Sequence, residues 1–315
     1  MNLSQLFENH RDIVINTDID GFLCGMILQK YYGCRVVGFS NSKETVWLDP
    51  AVRSIDDPVY IDLYVARPQV LCVEQHIIAF NRAHHEYICG LGTKLNPNLD
   101  RGRTFCGDVT GDYFHKYPFG TCHYLVYLMA REGIDVTFPD LSTPCTYDGQ
   151  TVQLGQLLLR ADDAMYTTMD KYRPNALDWW KYLIDNSGSA TLAAFLRYID
   201  SFPRVNAKAI KDKVNKFFRS MGCDAGDGAF TYIDDGDGNL APGVSDYRRC
   251  ITAYFGMPLA LPTQLVKHTG QACYARLSPM QDSAPYLADP NLYSYAFIAG
   301  PRTYKLNFSY TLNMQ

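Results

Sequence analysis

The run Ile13-Val14-Ile15 is continuously apolar and β-branched instead of alternating, the pattern of a strand buried on both faces. It ends in Asn16-Thr17-Asp18-Ile19-Asp20-Gly21 and passes into an apolar segment that predicts a helix from about Phe22 to Tyr32. Gly21 and Gly25 would let that helix pack closely. Short apolar runs recur at 35–39, 59–63 and 70–73, separated by polar and turn-forming residues. A succession of short strands with crossovers predicts an α/β fold, a mostly parallel sheet flanked by helices. Three of these strands end in polar residues: Asp18 and Asp20, then Asp62, then Glu74-Gln75-His76. Open α/β sheets bind their ligands at the carboxyl ends of the strands.

The pattern dissolves between Ala83 and Phe119 into Gly, Asn, Pro, Asp and Arg, a long loop of the kind that is functional or mobile. A helix follows over 120–132 with Gly133 as its stop, and another over about 152–165 carries Asp162 and Asp163 behind Leu157-Leu158-Leu159. Residues 169–221 read as helical, with Trp179 and Trp180 in the core and breaks at 187–189 and 202–203. The last ninety residues read as β-rich, with 293–298 and 304–310 forming a hairpin. Three regions result: an α/β domain with polar residues at its strand ends (1–168), a helical connector (169–222) and a smaller β-rich C-terminal domain (223–315). Asp234–Asn239 resembles a calcium loop, but Leu240 stands where that loop needs glycine, so it reads as a polar turn.

With 315 residues and 47% of them hydrophobic, the chain can bury a sizeable core. No stretch approaches the roughly 18 uninterrupted apolar residues of a membrane span. The first ten residues lack a signal peptide's layout. The expectation is a soluble, cytoplasmic protein with no membrane partner, its oligomeric state left open. Ten scattered cysteines without a CxxC pair read as buried thiols. Residues 1–202 hold 17 Lys+Arg against 24 Asp+Glu, and residues 203–315 hold 12 against 9. An acidic first part suits a carboxylate-rich metal site, and neither part is basic enough for a dedicated partner of extended duplex DNA. Lys94, Arg101 and Arg103 are the local positive cluster of the long loop, candidates for phosphate contact or plain surface charge. Thr121 could donate to an anion or simply cap its helix. The basic residues Lys208, Lys211, Lys213, Lys216 and Arg219 lie opposite an apolar face and read as a solvated surface.

Asn16-Thr-Asp-Ile-Asp-Gly21, Asp62 after Val59-Tyr-Ile61, Glu74-Gln-His76 after Leu71-Cys-Val73, and Asp162 or Asp163 late in a helix resemble, in order, the four motifs of the DHH phosphoesterase superfamily. Phe119-Gly-Thr-Cys-His-Tyr-Leu-Val-Tyr127 falls where that family places the helix between its third and fourth motifs. The likeness spans residues 10–170. It implies a pair of divalent ions, usually manganese, that activate water and stabilise phosphoryl charge. Carried over, Asp18, Asp20, Asp62 and one of Asp162 and Asp163 would be ligands, with Asp62 bridging. Asn16 stands where the family has a metal-binding histidine, and Gln75 replaces the first histidine of Asp-His-His. Oxygen donors at those positions suit magnesium better than manganese.

The expected activity is a divalent-metal-dependent (magnesium or manganese) phosphoesterase acting on a nucleotide, cyclic nucleotide or short single-stranded oligonucleotide. Asp62 and His76 are its catalytic candidates; Asn16, Asp18, Asp20, Asp62, Gln75, Asp162 and Asp163 its metal candidates; Lys94, Arg101, Arg103 and Thr121 its substrate contacts. His84 and His85 are an alternative source of imidazole. The rival reading is a catalytically inactive DHH-like binding or scaffold protein, motivated by Asn16 and Gln75. A smaller share goes to a haloacid dehalogenase-like site built on Asp18-Ile-Asp20, for which no lysine candidate stands out. The family's C-terminal Gly-Gly-Gly-His motif is not found after Phe202.

Overall fold

The computed structural model describes residues 2–106, 112–161, 164, 167, 169–202, 207–277, 284–299 and 306–314. The described elements are, in order, α1 (Leu3–Asn9), β1 (Asp12–Asn16), α2 (Ile19–Tyr32), β2 (Arg35–Ser40), β3 (Thr45–Leu48), β4 (Val59–Ile61), β5 (Cys72–Val73), α3 (Arg82–Leu91), β6 (Lys94–Leu95), α4 (Pro97–Asp100) and α5 (Thr121–Arg131). Then come β7 (Pro144–Tyr147), β8 (Gln150–Gln153), α6 (Leu154–Leu159), α7 (Arg173–Ser187), α8 (Ala190–Asp200), α9 (Ala207–Ser220) and α10 (Pro242–Phe255). Last are β9 (Val266–Thr269), β10 (Gln271–Leu277), α11 (Ala284–Leu287), β11 (Leu292–Ala299) and β12 (Leu306–Leu312).

The main sheet has seven strands in the order β6-β5-β4-β1-β2-β3-β9. β6, β5, β4, β1 and β2 run parallel, while β3 and β9 close one edge antiparallel. The α/β reading holds, and β1 lies at the middle of the sheet with Ile13, Val14 and Ile15 fully buried. Helix α2 is buried from Ile19 through Leu28, wedged between the sheet and α5. An amphipathic stripe is not expected of a helix enclosed on all sides. Gly21 is what permits the sharp entry into it: a Cβ there would lie 2.2 Å from the main-chain oxygen of Asn16. Gly25 is merely tight, its nearest neighbour being Leu259 at 3.2 Å.

The C-terminal region supplies a separate three-stranded antiparallel sheet, β10-β12-β11, in which 293–298 pairs with the strand after it as expected. Its aromatic face packs on residues 77–105, with Phe297 stacked on Phe105 at 4.7 Å. Main-chain and side-chain bonds fasten it there: Ala66 N–H donates to Tyr293, and the Tyr295 hydroxyl to Ile78. The region is not uniformly β, because α10 occupies 242–255. Its signals are Pro242 at the first turn and Gly256, whose φ of +61° forms the stop. Similarly, 150–153 is a strand, and the helix expected from Val152 begins at Leu154. All ten cysteines are free and six are buried. Among the described residues no helix is long and apolar enough to cross a membrane.

Candidate functional site

The turn from β1 into α2 places two carboxylates differently. Asp18 caps α2, its Oδ1 accepting from Gly21 N–H at 3.0 Å. Asp20, in the first turn, turns to α5, accepting from Thr121 N–H at 2.6 Å and Cys122 N–H at 2.9 Å. Both donors are amides that a helix start leaves unpaired, and the helix dipole favours an anion there. Gly120 makes room: a Cβ on it would lie 2.6 Å from Asp20 Oδ1. Asp20 thus clamps α5 to α2.

Asp62 follows β4 in a left-handed conformation, φ +63°, which a non-glycine residue adopts only when its surroundings hold it there. Its N–H donates to Val73, its Oδ1 accepts from the Thr121 hydroxyl at 2.8 Å, and its Oδ2 accepts from the Asn16 side-chain amide at 3.0 Å. The same Asn16 nitrogen lies 3.2 Å from Asp18 Oδ2. Its Oδ1 is turned away and accepts from Thr17 N–H at 2.7 Å. The Asn16 amide therefore spans the two carboxylates. The charge around them is felt nearby: burial first, then Asp20, Cys122, Asp62 and Asp18, push the Cys24 thiol well above its usual range and keep it neutral. Residues 224–230 cover the turn, with Ile19 N–H donating to Asp227 and Phe230 N–H to Thr17.

Glu74-Gln75-His76 forms a second polar knot. Glu74 is fully buried and accepts from His76 N–H at 2.6 Å and from the Asn96 side-chain amide, while the His76 ring Nδ1 lies 3.3 Å away. Gln75 is buried, its amide nitrogen 3.4 Å from His76 Nε2 and its carbonyl held by the Asn98 side chain. The half-buried His76 ring lines a cleft of about 50 Å³ between the sheet edge and the C-terminal antiparallel sheet, with Ser42, Tyr64, Ser294 and Ser309. Ser42 is another non-glycine residue at positive φ, +56°.

The remaining sequence candidates are scattered. The Lys94 ammonium is buried and donates to the carbonyls of Val65, Arg67 and Val70, which leaves it no exposed face for phosphate. Arg101 pairs with Asp178 and lies over the rings of Trp179 and Tyr182. Arg103 has its Nε buried with no hydrogen-bond partner among the described residues. Thr121 does meet the site carboxylates, its hydroxyl donating to Asp62 and its N–H to Asp20. His84 bonds Phe80 N–H and contacts Tyr295, and His85 contacts the Leu99 carbonyl. Asp162 and Asp163 lie outside the described residues. Asn96 and Asn98, which brace the Glu74 knot, passed as loop residues. Asn96-Pro97 was the available signal, since Asn96 caps α4 with Pro97 in its first turn.

The donor set tests the fit of a cation. Asp18 Oδ2 and Asp62 Oδ2 converge on the Asn16 amide nitrogen, and two facing carboxylate oxygens are ligands of the kind a hard ion such as magnesium takes. Both Asp20 oxygens are committed to α5, and the Asn16 oxygen faces away. Among the described residues no three His, Cys, Asp or Glu side chains gather as a metal-holding group. The pair Asp18 and Asp62 is thus the part of the set that suits a cation. Comparison with protein-family models, curated proteins and solved structures finds no match.

Proposed function

We propose that the chain is a divalent-cation-dependent phosphoesterase of the DHH type, acting on a nucleotide, cyclic nucleotide or short single-stranded oligonucleotide. The observation that carries the reading is Asp62, held in a left-handed conformation so that its carboxylate meets Asp18 at the carboxyl ends of parallel strands. Asp18 and Asp62 would hold the cation, magnesium by the chemistry of the donors. When bound, that ion lowers the pKa of a water and offsets charge on the phosphoryl oxygens. The Thr121 hydroxyl orients Asp62, and Asp20 fixes α5 so that the hydroxyl stays in place. His76, braced by Glu74 and lining the cleft, would hold the phosphoryl group or give a proton to the leaving oxygen.

A second reading is a non-catalytic DHH-like binding protein, favoured by the Asn16 amide standing between the carboxylates. One experiment separates them: hydrolysis of a generic phosphodiester and a nucleotide panel with magnesium and with manganese. The enzyme reading expects metal-dependent turnover that falls by about a hundredfold or more in Asp62→Ala. Nucleotide binding without turnover would replace it with the second reading.

A further inference from the structure

We infer that Asn16 is a built-in surrogate for the cation, holding the Asp18–Asp62 pair together in its absence and setting how much divalent ion is needed to displace it. The inference rests on the cation reading of this site, but not on turnover. A side-chain amide has two N–H groups diverging from one nitrogen, and here both have a carboxylate: Asp62 Oδ2 at 3.0 Å and Asp18 Oδ2 at 3.2 Å. The amide's orientation is enforced, because its oxygen accepts from Thr17 N–H at 2.7 Å. Reversing it would set a lone pair against two carboxylates and an N–H against an N–H. Asn16 is also nearly enclosed, 8% exposed, so water is a poor substitute for its donors.

Two consequences follow. Without a cation the cluster stays assembled, since the amide offsets the repulsion of facing carboxylates. A cation entering between Asp18 and Asp62 must break both amide bonds, so its affinity is lowered by their loss. Asn16 therefore converts a site that would take a divalent ion tightly into one that responds to abundant magnesium.

The test is calorimetric titration of magnesium and of manganese into the metal-free 315-residue chain, alongside thermal denaturation with and without magnesium. Asn16→Ala removes the spanning donors, and Asn16→Asp replaces them with a further anionic oxygen. Both variants are expected to bind the ion about tenfold or more tightly than the wild type. Their midpoints should fall without magnesium and recover with it, while the wild-type midpoint moves little. Should Asn16→Asp fail to fold without a cation, Asn16→Ala and Asn16→Ser carry the comparison. Variants that bind no tighter than the wild type, or a wild type that already binds in the micromolar range, overturn the inference. Gain of affinity without turnover would leave it standing and remove the phosphoesterase reading; Asp62-dependent turnover without gain would do the reverse.

Discussion

Acid should destabilise this protein through His123, in the second position behind the Asp20 clamp. The ring is buried among Phe119, Trp180 and Phe195, and its Nε2 has no partner among the described residues. Burial lowers its pKa from 6.5 to about 4, outweighing the charge of Asp20 and a bond to the Gly120 carbonyl, which both act upward. Above pH 6.5 the imidazole is neutral folded or unfolded and contributes no pH dependence. Between 6.5 and 4 the unfolded chain takes up a proton that the folded chain refuses, so stability is lost as pH falls through that window. The full shift corresponds to about 3 kcal/mol, of which about 2 kcal/mol is lost by pH 5. Urea denaturation at pH 8 and pH 5 measures it, with His123→Phe as the control because an aromatic cage accepts a phenyl ring. His84, lowered to about 4 by burial, titrates in both proteins and cancels in the comparison. The wild type should lose about 2 kcal/mol more than the variant between the two pH values. Equal losses would refute the assignment of that acid sensitivity to His123.

Two further substitutions probe the scaffold. Lys94→Met should cost about 3 kcal/mol, because the Val65, Arg67 and Val70 carbonyls lose a charged donor, and should leave affinity for anions unchanged; urea denaturation and a phosphate titration check both halves. Gly120→Ala should cost about 2 kcal/mol by forcing Asp20 off the start of α5, and an unaltered thermal midpoint would show that the clamp is dispensable.

The α/β sheet was legible because its strands are buried on both faces and so write unbroken apolar runs, while the polar residues at their ends mark the carboxyl edge. The same logic found Asp18, Asp62 and Glu74. What it could not read was which neighbour each side chain would answer to. Asp18 and Asp20 differ only by their place in one turn of helix. Yet one caps its own helix and the other clamps a helix a hundred residues later. Lys94 reads in the sequence as a phosphate contact or plain surface charge, because a lysine reaching three carbonyls leaves no local pattern. Helix α10 had its proline and glycine signals, but they were submerged in a region judged by its later strands.

The division between these carboxylates separates the Asp18–Asp62 pair from Asp20. Backbone amides at a helix start cannot leave without unwinding the helix, so Asp20, held by two of them, is fixed in a structural role. The facing oxygens of Asp18 and Asp62 are held by a side chain instead, and a side chain can rotate. A cation entering at that point would gain two anionic ligands in exchange for the amide's two contacts; entering at Asp20, it would have to dislodge α5. The fold therefore separates a structural carboxylate from a replaceable contact within a single turn. It is the residue at the head of that turn, Asn16, that decides between them.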